Sequence, residues 1–520
     1  MVTRKSFIIV ISTFSTYILG MMGVMALAKI WGAESVAALG AVSFAISAVS
    51  IFSIFSRFGF TAAHIKRVSE GEDLGTCIGT YATIELGLVG VMLCVIFIWK
   101  MLLNQSFTDA TTESVFAVAI VFVVFDNLKS IPINTFTGLQ QAAKRQISLT
   151  FENISKLPLL ILVAIFASGM AVPSFIQPFQ RFVADHSTGS LAAAYVIGMA
   201  TTFFIGLLLM RKYPIKRPSW DMLKSYFTFA FPLAFSSVLA VLSMHIDKVM
   251  IGFFWTSTEV GYYFVVQRIT GIITVFPMAI GTILFPTISK EHALKKLDKI
   301  RNTVKLSERY ISMIMVPPVM FTIIFSNQLI QILLDDAYLP GATVLMILSV
   351  WVFIMGLSMP YTSLIMGMNK PKLQASIAIV TCIINVFLNF LMVPNTGILS
   401  GFGIYGPDGA AVATVFSSLF LLASSRIISV RLTNINTYQT HTMRHIFAGC
   451  IMASYLWGIS SYVTMHWYHL IIFAGSGLCI YILVLWTVSE FKREDLDFYL
   501  DILNPKKLLK EAKGDFKNGT

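Results

Sequence analysis

Long runs of apolar residues alternate with short polar segments along nearly the whole chain. Each run is about 20 residues long, the length that lets an α-helix cross a hydrocarbon core of about 30 Å. The short alternating segments of an outer-membrane barrel do not occur in this pattern. The runs predict fourteen membrane-spanning helices: Phe7–Ala28, Val36–Phe58, Cys77–Trp99, Ser114–Thr135, Ile147–Gly169, Leu191–Met210, Tyr226–Phe254, Val260–Leu284, Tyr310–Leu334, Ala342–Met366, Leu373–Val393, Gly409–Ile428, Ile446–Thr464 and Leu470–Val488.

The composition agrees with an integral membrane protein. Of the 520 residues, 56% are hydrophobic and only 12% are charged, whereas soluble domains carry about 25% charged residues. The net charge of +12 would suggest nucleic acid in a soluble protein, but here most Lys and Arg fall in loops on one side of the predicted spans. Cytoplasmic loops are enriched in these residues. We therefore predict a multi-pass protein of the cell membrane, with both termini in the cytoplasm and no nucleic-acid partner.

A weak internal repeat divides the chain. Three pairs of similar segments recur in the same order and at nearly equal spacing, around Trp31 and Trp255, Gly138 and Gly367, and Gly189 and Gly409. Each half holds six spans that begin on the same side, which makes the repeat parallel. We predict an all-α protein with six-helix lobes at 1–212 and 213–432, two extra transmembrane helices at 433–490, and a cytoplasmic tail at 491–520.

Several charged residues lie inside predicted spans. A charge at mid-bilayer costs about 2.5–3.5 kcal/mol on insertion scales, so such residues usually face a bundle interior or a wet cavity and find partners there. The basic members of this set are Arg57, Lys129, Lys156, Lys248 and Arg268, and the acidic members are Glu85, Asp126, Glu152 and Asp247.

Asp247 and Arg268 are predicted to lie at the same depth. At a rise of about 1.5 Å per residue, Asp247 lies about 12 Å from the turn at Trp255, and Arg268 lies about 14 Å from that turn on the antiparallel neighbour. Two interpretations stay open. In one, the two residues form a buried pair that only fixes helix packing. In the other, they line a cavity between the lobes together with Lys248, and Arg57 is the candidate from the first lobe.

Asp126 and Lys129 are three residues apart, and Glu152 and Lys156 are four apart, which are spacings that bring side chains together on a helix. Lys129 and Lys156 also lie at similar depth. Two acids and two bases make a neutral cluster, so we predict a structural role for all four.

Motifs of enzymatic chemistry are absent from the sequence. No Gly-rich loop is followed by Lys and Ser or Thr, so the chain carries no ATPase signature, and no His-Glu-x-x-His zinc motif occurs. The five cysteines show no pairing or metal-ligand spacing. Asp335 and Asp336 would suit a metal-dependent glycosyltransferase, but no large domain accompanies them. The sequence predicts neither a catalytic residue nor a metal or cofactor.

These features resemble the multidrug/oligosaccharidyl-lipid/polysaccharide exporter superfamily, in its polysaccharide-transporter branch of lipid-linked oligosaccharide flippases. The resemblance is carried by FAFPLAFSSVLAVLSMHIDKVMIGFFWTSTEVGYYFVVQRI (Phe229–Ile269), LLDDAYLPGATVLMILS (Leu333–Ser349), GMNKPKLQASIAIVTCIINVFLN (Gly367–Asn389) and GPDGAAVATVFSS (Gly406–Ser418). Asp247, Gly261, Tyr263 and Arg268 match the family's Asp, Gly-x-Tyr and Arg.

The resemblance implies a V-shaped transporter whose two lobes open a central cavity to one side of the membrane at a time. The expected substrate is a polyprenyl-(pyro)phosphate-linked oligosaccharide, with the phosphate held by basic residues in the cavity. A cation or proton is a further candidate partner, and a monomer is expected. The alternatives are a cation-coupled drug or metabolite antiporter and a membrane glycosyltransferase.

Overall fold

The computed structural model describes residues 4–55, 58–103, 110–435, 440–460 and 466–490. The described chain is built from α-helices, because helices satisfy every backbone polar group within one segment when no water is at hand. The first half holds α1 (Arg4–Trp31), α2 (Glu34–Phe52), α3 (Phe60–Ser69), α4 (Leu74–Leu103), α5 (Ala110–Leu128), α6 (Ser130–Gly138), α7 (Ala142–Ala167), α8 (Gln177–Asp185) and α9 (Ser187–Met210). The remainder holds α10 (Trp220–Phe254), α11 (Ser257–Ala293), α12 (Leu297–Ile324), α13 (Ser326–Leu333), α14 (Gly341–Gly367), α15 (Pro371–Met392), α16 (Gly406–Thr433), α17 (Thr440–Ser460) and α18 (Trp467–Thr487).

Eleven helices of the described chain are long and apolar enough to cross a membrane, or twelve if α12 and α13 form one broken span. The predicted number of fourteen is therefore not confirmed. Helices α10 and α17 occupy the seventh and thirteenth predicted spans but are not among the eleven. The ninth predicted span is not one straight helix, because the chain leaves the helical path at Phe325 and bends by 79° between α12 and α13.

The two halves repeat the same helix packing. In the first half, α7 packs against α1 and α9, and α5 packs against α2 and α9. In the second half, α15 packs in the same way against α10 and α16, and α14 packs against α11 and α16. Each pairing joins the same two members of the six-span series. The parallel repeat read from the sequence therefore describes the observed packing.

Close contacts join the halves, and two of them lie at opposite levels. Near the Trp255 turn, α2 lies so close to α11 that a side chain at Gly40 would overlap the carbonyl of Ser257. Small residues permit this backbone approach between membrane helices. At the opposite level, the N-terminal part of α10 packs on the first half, where the Tyr226 hydroxyl lies 2.8 Å from Nδ1 of buried His64. Between these two levels lies the cavity described below.

The two extra helices are attached to α12 through Glu490, whose side chain is buried. Its carboxylate accepts hydrogen bonds from Arg309 Nε on α12 at 2.9 Å and from Arg444 Nη1 on α17 at 2.9 Å, and it lies 2.6 Å from His441 Nδ1. Burial raises the pKa of Glu490, but these hydrogen bonds outweigh it and hold the pKa below its usual value. Glu490 is thus an anionic junction between α12, α17 and the end of α18.

Candidate functional site

Asp247 is buried inside the second half and is held by neutral donors. The Tyr263 hydroxyl donates to Asp247 Oδ2 at 2.7 Å, Thr414 Oγ1 donates to Oδ2 at 3.0 Å, and Asn389 Nδ2 donates to Oδ1 at 2.9 Å. These donors come from α11, α16 and α15. Three hydrogen bonds satisfy a carboxylate without a cationic partner.

The contact between Asp247 and Arg268 that their equal depth made feasible is not formed in this structure. Both residues lie in the described chain, and no ion pair joins their side chains. The depths agree, but depth alone does not fix direction around a helix axis. Asp247 faces α15 and α16, whereas Arg268 faces a cavity between the halves.

This cavity has a volume of about 270 Å³ and is bounded by α2, α5 and α9 of the first half and by α10 and α11 of the second. Its lining includes Lys248, Arg268, His245 and Asp126. Consecutive residues of a helix point about 100° apart, which is why Lys248 lines the cavity and Asp247 does not. The first-lobe candidate, Arg57, lies outside the described residues.

The two cavity cations have polar or aromatic neighbours. Lys248 Nζ donates to Gln267 Oε1 at 3.0 Å and to the Met244 carbonyl at 3.3 Å. The Arg268 guanidinium carbon lies 5.0 Å from the centre of the Phe264 ring, within the range of a cation–π contact. Within the part of the chain that the structure describes, neither cation forms an ion pair. Both charges are therefore available to an anion in the cavity.

The four charged residues of the first half form the ion pairs that their spacing predicts. Lys129 Nζ lies 2.9 Å from Asp126 Oδ1, and Lys156 Nζ lies 3.1 Å from Glu152 Oε1. Lys156 also lies over the Tyr195 ring at 5.0 Å. Their purely structural role stays a prediction, because Asp126 and Tyr195 also line the cavity.

Two buried amide oxygens lie beside the Asp247 network. Asn389 Oδ1 and Asn385 Oδ1 have no hydrogen-bond partner in the described chain. Asn385 Nδ2 points to Thr414 Oγ1 at 3.3 Å, and Thr414 is itself a donor to Asp247. Carboxylate, amide and hydroxyl oxygens are the ligand types that hard cations prefer. Sequence reasoning missed Asn385, Asn389 and Thr414, although two amides four residues apart within an apolar span were a usable signal.

Two protein families match the chain. The family described as "Polysaccharide biosynthesis protein" matches residues 2–292, and the MatE family matches residues 232–391. Among curated proteins, the chain is 24% identical over 228 residues to the probable low-salt glycan biosynthesis flippase Agl15 of Haloferax volcanii. That match covers 44% of this chain and 46% of the relative, so the similarity spans just under half of each protein.

Solved structures share the fold at low sequence identity. The lipid II flippase MurJ in an inward closed conformation superposes with a TM-score of 0.70 and 15% identity, and the match covers 95% of this chain and 99% of that one. An inward-facing multidrug resistance MATE family transporter superposes with a TM-score of 0.59 and 13% identity, over 82% of this chain and 96% of the other. These likenesses establish a fold shared with transporters of this superfamily. The match to the polysaccharide biosynthesis protein family extends over more than half of this chain's residues, so the chain belongs to that family.

Proposed function

We propose that this protein is a flippase that moves a polyprenyl-(pyro)phosphate-linked oligosaccharide from the inner to the outer leaflet by alternating access. One observation carries the proposal: Lys248 and Arg268 line a cavity between the two halves, and neither has an acidic partner within the described chain. Hydrocarbon offers no cation to a phosphate. Arg grips an anion through paired donors, and Lys supplies a compact charge. The names of the relative and of the structural neighbour support the same substrate class.

The small size of the cavity means that the protein must change conformation before it can bind an oligosaccharide. A volume of about 270 Å³ lies below the roughly 300–1,000 Å³ of pockets that enclose drug-sized ligands, so the cavity is too small for a whole oligosaccharide. The halves must therefore move apart before the head group enters. Binding that favours the separated state would drive this change, since a ligand shifts a conformational equilibrium only by its differential affinity for the two states.

We further propose that Asp247 binds the coupling ion, either a proton or a cation. Its carboxylate is surrounded by neutral groups, so its charge is the one in this network that can change without breaking an ion pair. The unpartnered oxygens of Asn385 and Asn389 support a cation as the candidate. Asp247 lies on α10 and its partners on α15 and α16, so occupancy would alter the packing of these helices.

The same proposal includes the placement of the chain. The protein lies in the cell membrane with both termini in the cytoplasm, and it works as a monomer among membrane lipids. Its lobes are 1–212 and 213–432, followed by the extra helices at 433–490 and the tail at 491–520.

Complementation tests the function directly. Expression in a strain that lacks its own oligosaccharide flippase should restore export of the glycan, and purified protein in vesicles should move a fluorescent lipid-linked sugar across the bilayer. Sugar transfer from a lipid donor by the purified protein would instead indicate a glycosyltransferase and overturn the proposal.

The second candidate function is a cation-coupled antiporter of drugs or metabolites. The MatE match over residues 232–391 favours it, because that region contains Asp247 and Asn389. Extrusion of cationic dyes under an ion gradient, without glycan export, would decide for this function. The two cations on the cavity wall argue against it, because they repel a cationic cargo.

A further inference from the structure

One face of α2 presents three serines to the cavity. Ser43, Ser47 and Ser50 are spaced four and three residues apart, which places them on the same side of the helix. All three line the cavity, and their exposed fractions are only 5%, 1% and 6%. The wall that the first half contributes therefore carries a row of hydroxyl groups.

Within the described chain, none of the three hydroxyl groups forms a hydrogen bond, although the Ser50 carbonyl accepts one from Ser53 Oγ at 2.6 Å. Other buried serines bond back to the preceding turn, as Ser349 does to the Leu345 carbonyl at 2.7 Å and Ser358 to the Ile354 carbonyl at 2.8 Å, whereas the buried Ser425 hydroxyl has no partner in the described chain. The three hydroxyl oxygens are not enclosed in packed core, because their residues line the cavity, where a ligand can bond to them. Packing alone would be served better by alanine, which α2 uses at many other positions.

The second half contributes the opposite chemistry to the same cavity. Lys248 and Arg268 present positive charge, and His245 lies beside them in the lining. A ligand that combines an anion with several hydroxyl groups can bond to both walls. A sugar joined to a phosphate has this composition, because each sugar hydroxyl donates and accepts hydrogen bonds as a serine does.

We propose that Ser43, Ser47 and Ser50 bind the hydroxyl groups of the sugar residue next to the phosphate, while Lys248 and Arg268 bind the phosphate. This inference rests on the proposed function and adds the part of the site that recognises the sugar. Hydroxyl recognition gives discrimination, because a buried polar group that loses its substrate partner is left unsatisfied. The serines thus make the cavity selective for carriers loaded with sugar over empty carriers.

The test uses the full chain in detergent and two probes, polyprenyl diphosphate alone and the same lipid carrying one N-acetylhexosamine. The variant is Ser43→Ala/Ser47→Ala/Ser50→Ala, and Ser349→Ala is the matched control because its hydroxyl is buried but bonded to backbone. The triple variant should bind the sugar-bearing probe at least about tenfold more weakly, since each lost hydrogen bond is worth about 1 kcal/mol. Its affinity for the bare lipid should stay at the wild-type value, and the control should bind both probes normally.

Each other outcome has a distinct meaning. Unchanged binding of both probes by the triple variant would show that the serines contact only water. Equally weakened binding of both probes would show that the serines shape the cavity without contacting the sugar. Either result overturns the inference and leaves the proposed function intact. Failure of the wild-type protein to bind either probe would overturn both. If the triple variant does not fold, Ser47→Ala alone should still weaken the sugar-bearing probe selectively, and equal affinity for both probes would count against the inference.

Discussion

The two halves hold the acidic side chains within their spans differently, although their helices pack in the same way. In the first half, Glu152 is neutralised by Lys156 on the same helix at 3.1 Å. In the second half, Asp247 is surrounded by Tyr263, Asn389 and Thr414. An ion pair holds a fixed structure because removal of either partner leaves a buried charge. An acid among neutral donors can gain a proton or cation without losing a partner, so the second half is suited to change state.

The largest effect is expected at Arg268, the cavity cation of the second half. Arg268→Ala should abolish glycan export in a complemented strain while the protein reaches the membrane at its normal level, because the phosphate loses its paired donors. Arg268→Lys should keep part of the activity if charge dominates and little if bidentate geometry does. Arg181→Ala, at an exposed arginine of α8, is the control. Normal export by Arg268→Ala would show that this cavity cation is not needed for transport.

Breaking the ion pair of the first half should mainly cost stability. Lys156→Met leaves the partly exposed Glu152 without its partner and should lower the free energy of unfolding by up to about 3–5 kcal/mol, the cost for a buried pair, and Glu152→Gln/Lys156→Met should recover most of that loss. Unfolding of the purified proteins measures both. If Lys156→Met were as stable as the wild type, water or another group would have replaced Lys156. The ion pair would then not be what stabilises this part of the first half.

Asp247→Asn should cost less stability than breaking the Glu152–Lys156 pair, because it removes a charge that forms no ion pair in the described chain. The side chain keeps its shape, so the free energy of unfolding should fall by no more than about 1–3 kcal/mol, the cost of one mismatched buried hydrogen bond. Transport into vesicles should lose its response to an imposed proton or cation gradient. A gradient response equal to that of the wild type would place the coupling ion elsewhere.

The smallest effect is the coupling between Asp247 and Arg268. In a double-mutant cycle of Asp247→Asn and Arg268→Gln, the two changes in unfolding free energy should add to within about 0.5 kcal/mol, because the residues do not touch. The corresponding cycle for Glu152 and Lys156 should show a coupling of about 0.5–3 kcal/mol. A large coupling between Asp247 and Arg268 would mean that they meet in another conformation.

Contacts between residues that are close in sequence were predicted correctly. The pairs Asp126–Lys129 and Glu152–Lys156 follow from a spacing of three or four residues, since the helix itself brings such side chains together. The recurring turns at Trp31 and Trp255 predicted the repeat, because repeated spans of similar length pack in a similar order. The number of spans did not follow from apolar length alone, as the bend at Phe325 shows.

Contacts between distant helices were decided by rotation about the helix axes, which the sequence does not display. Asp247 and Lys248 are neighbours in sequence, but one faces Asn389 and Thr414 and the other faces the cavity. The equal depths of Asp247 and Arg268 made a contact feasible, and the packing of α10 against α15 and α16 turned the carboxylate away from it. The sequence by itself determined which charges lie within apolar spans and therefore need a partner or a wet cavity. Only the tertiary structure decided which of them face each other and which face the cavity, because that choice depends on the direction in which each helix presents a side chain.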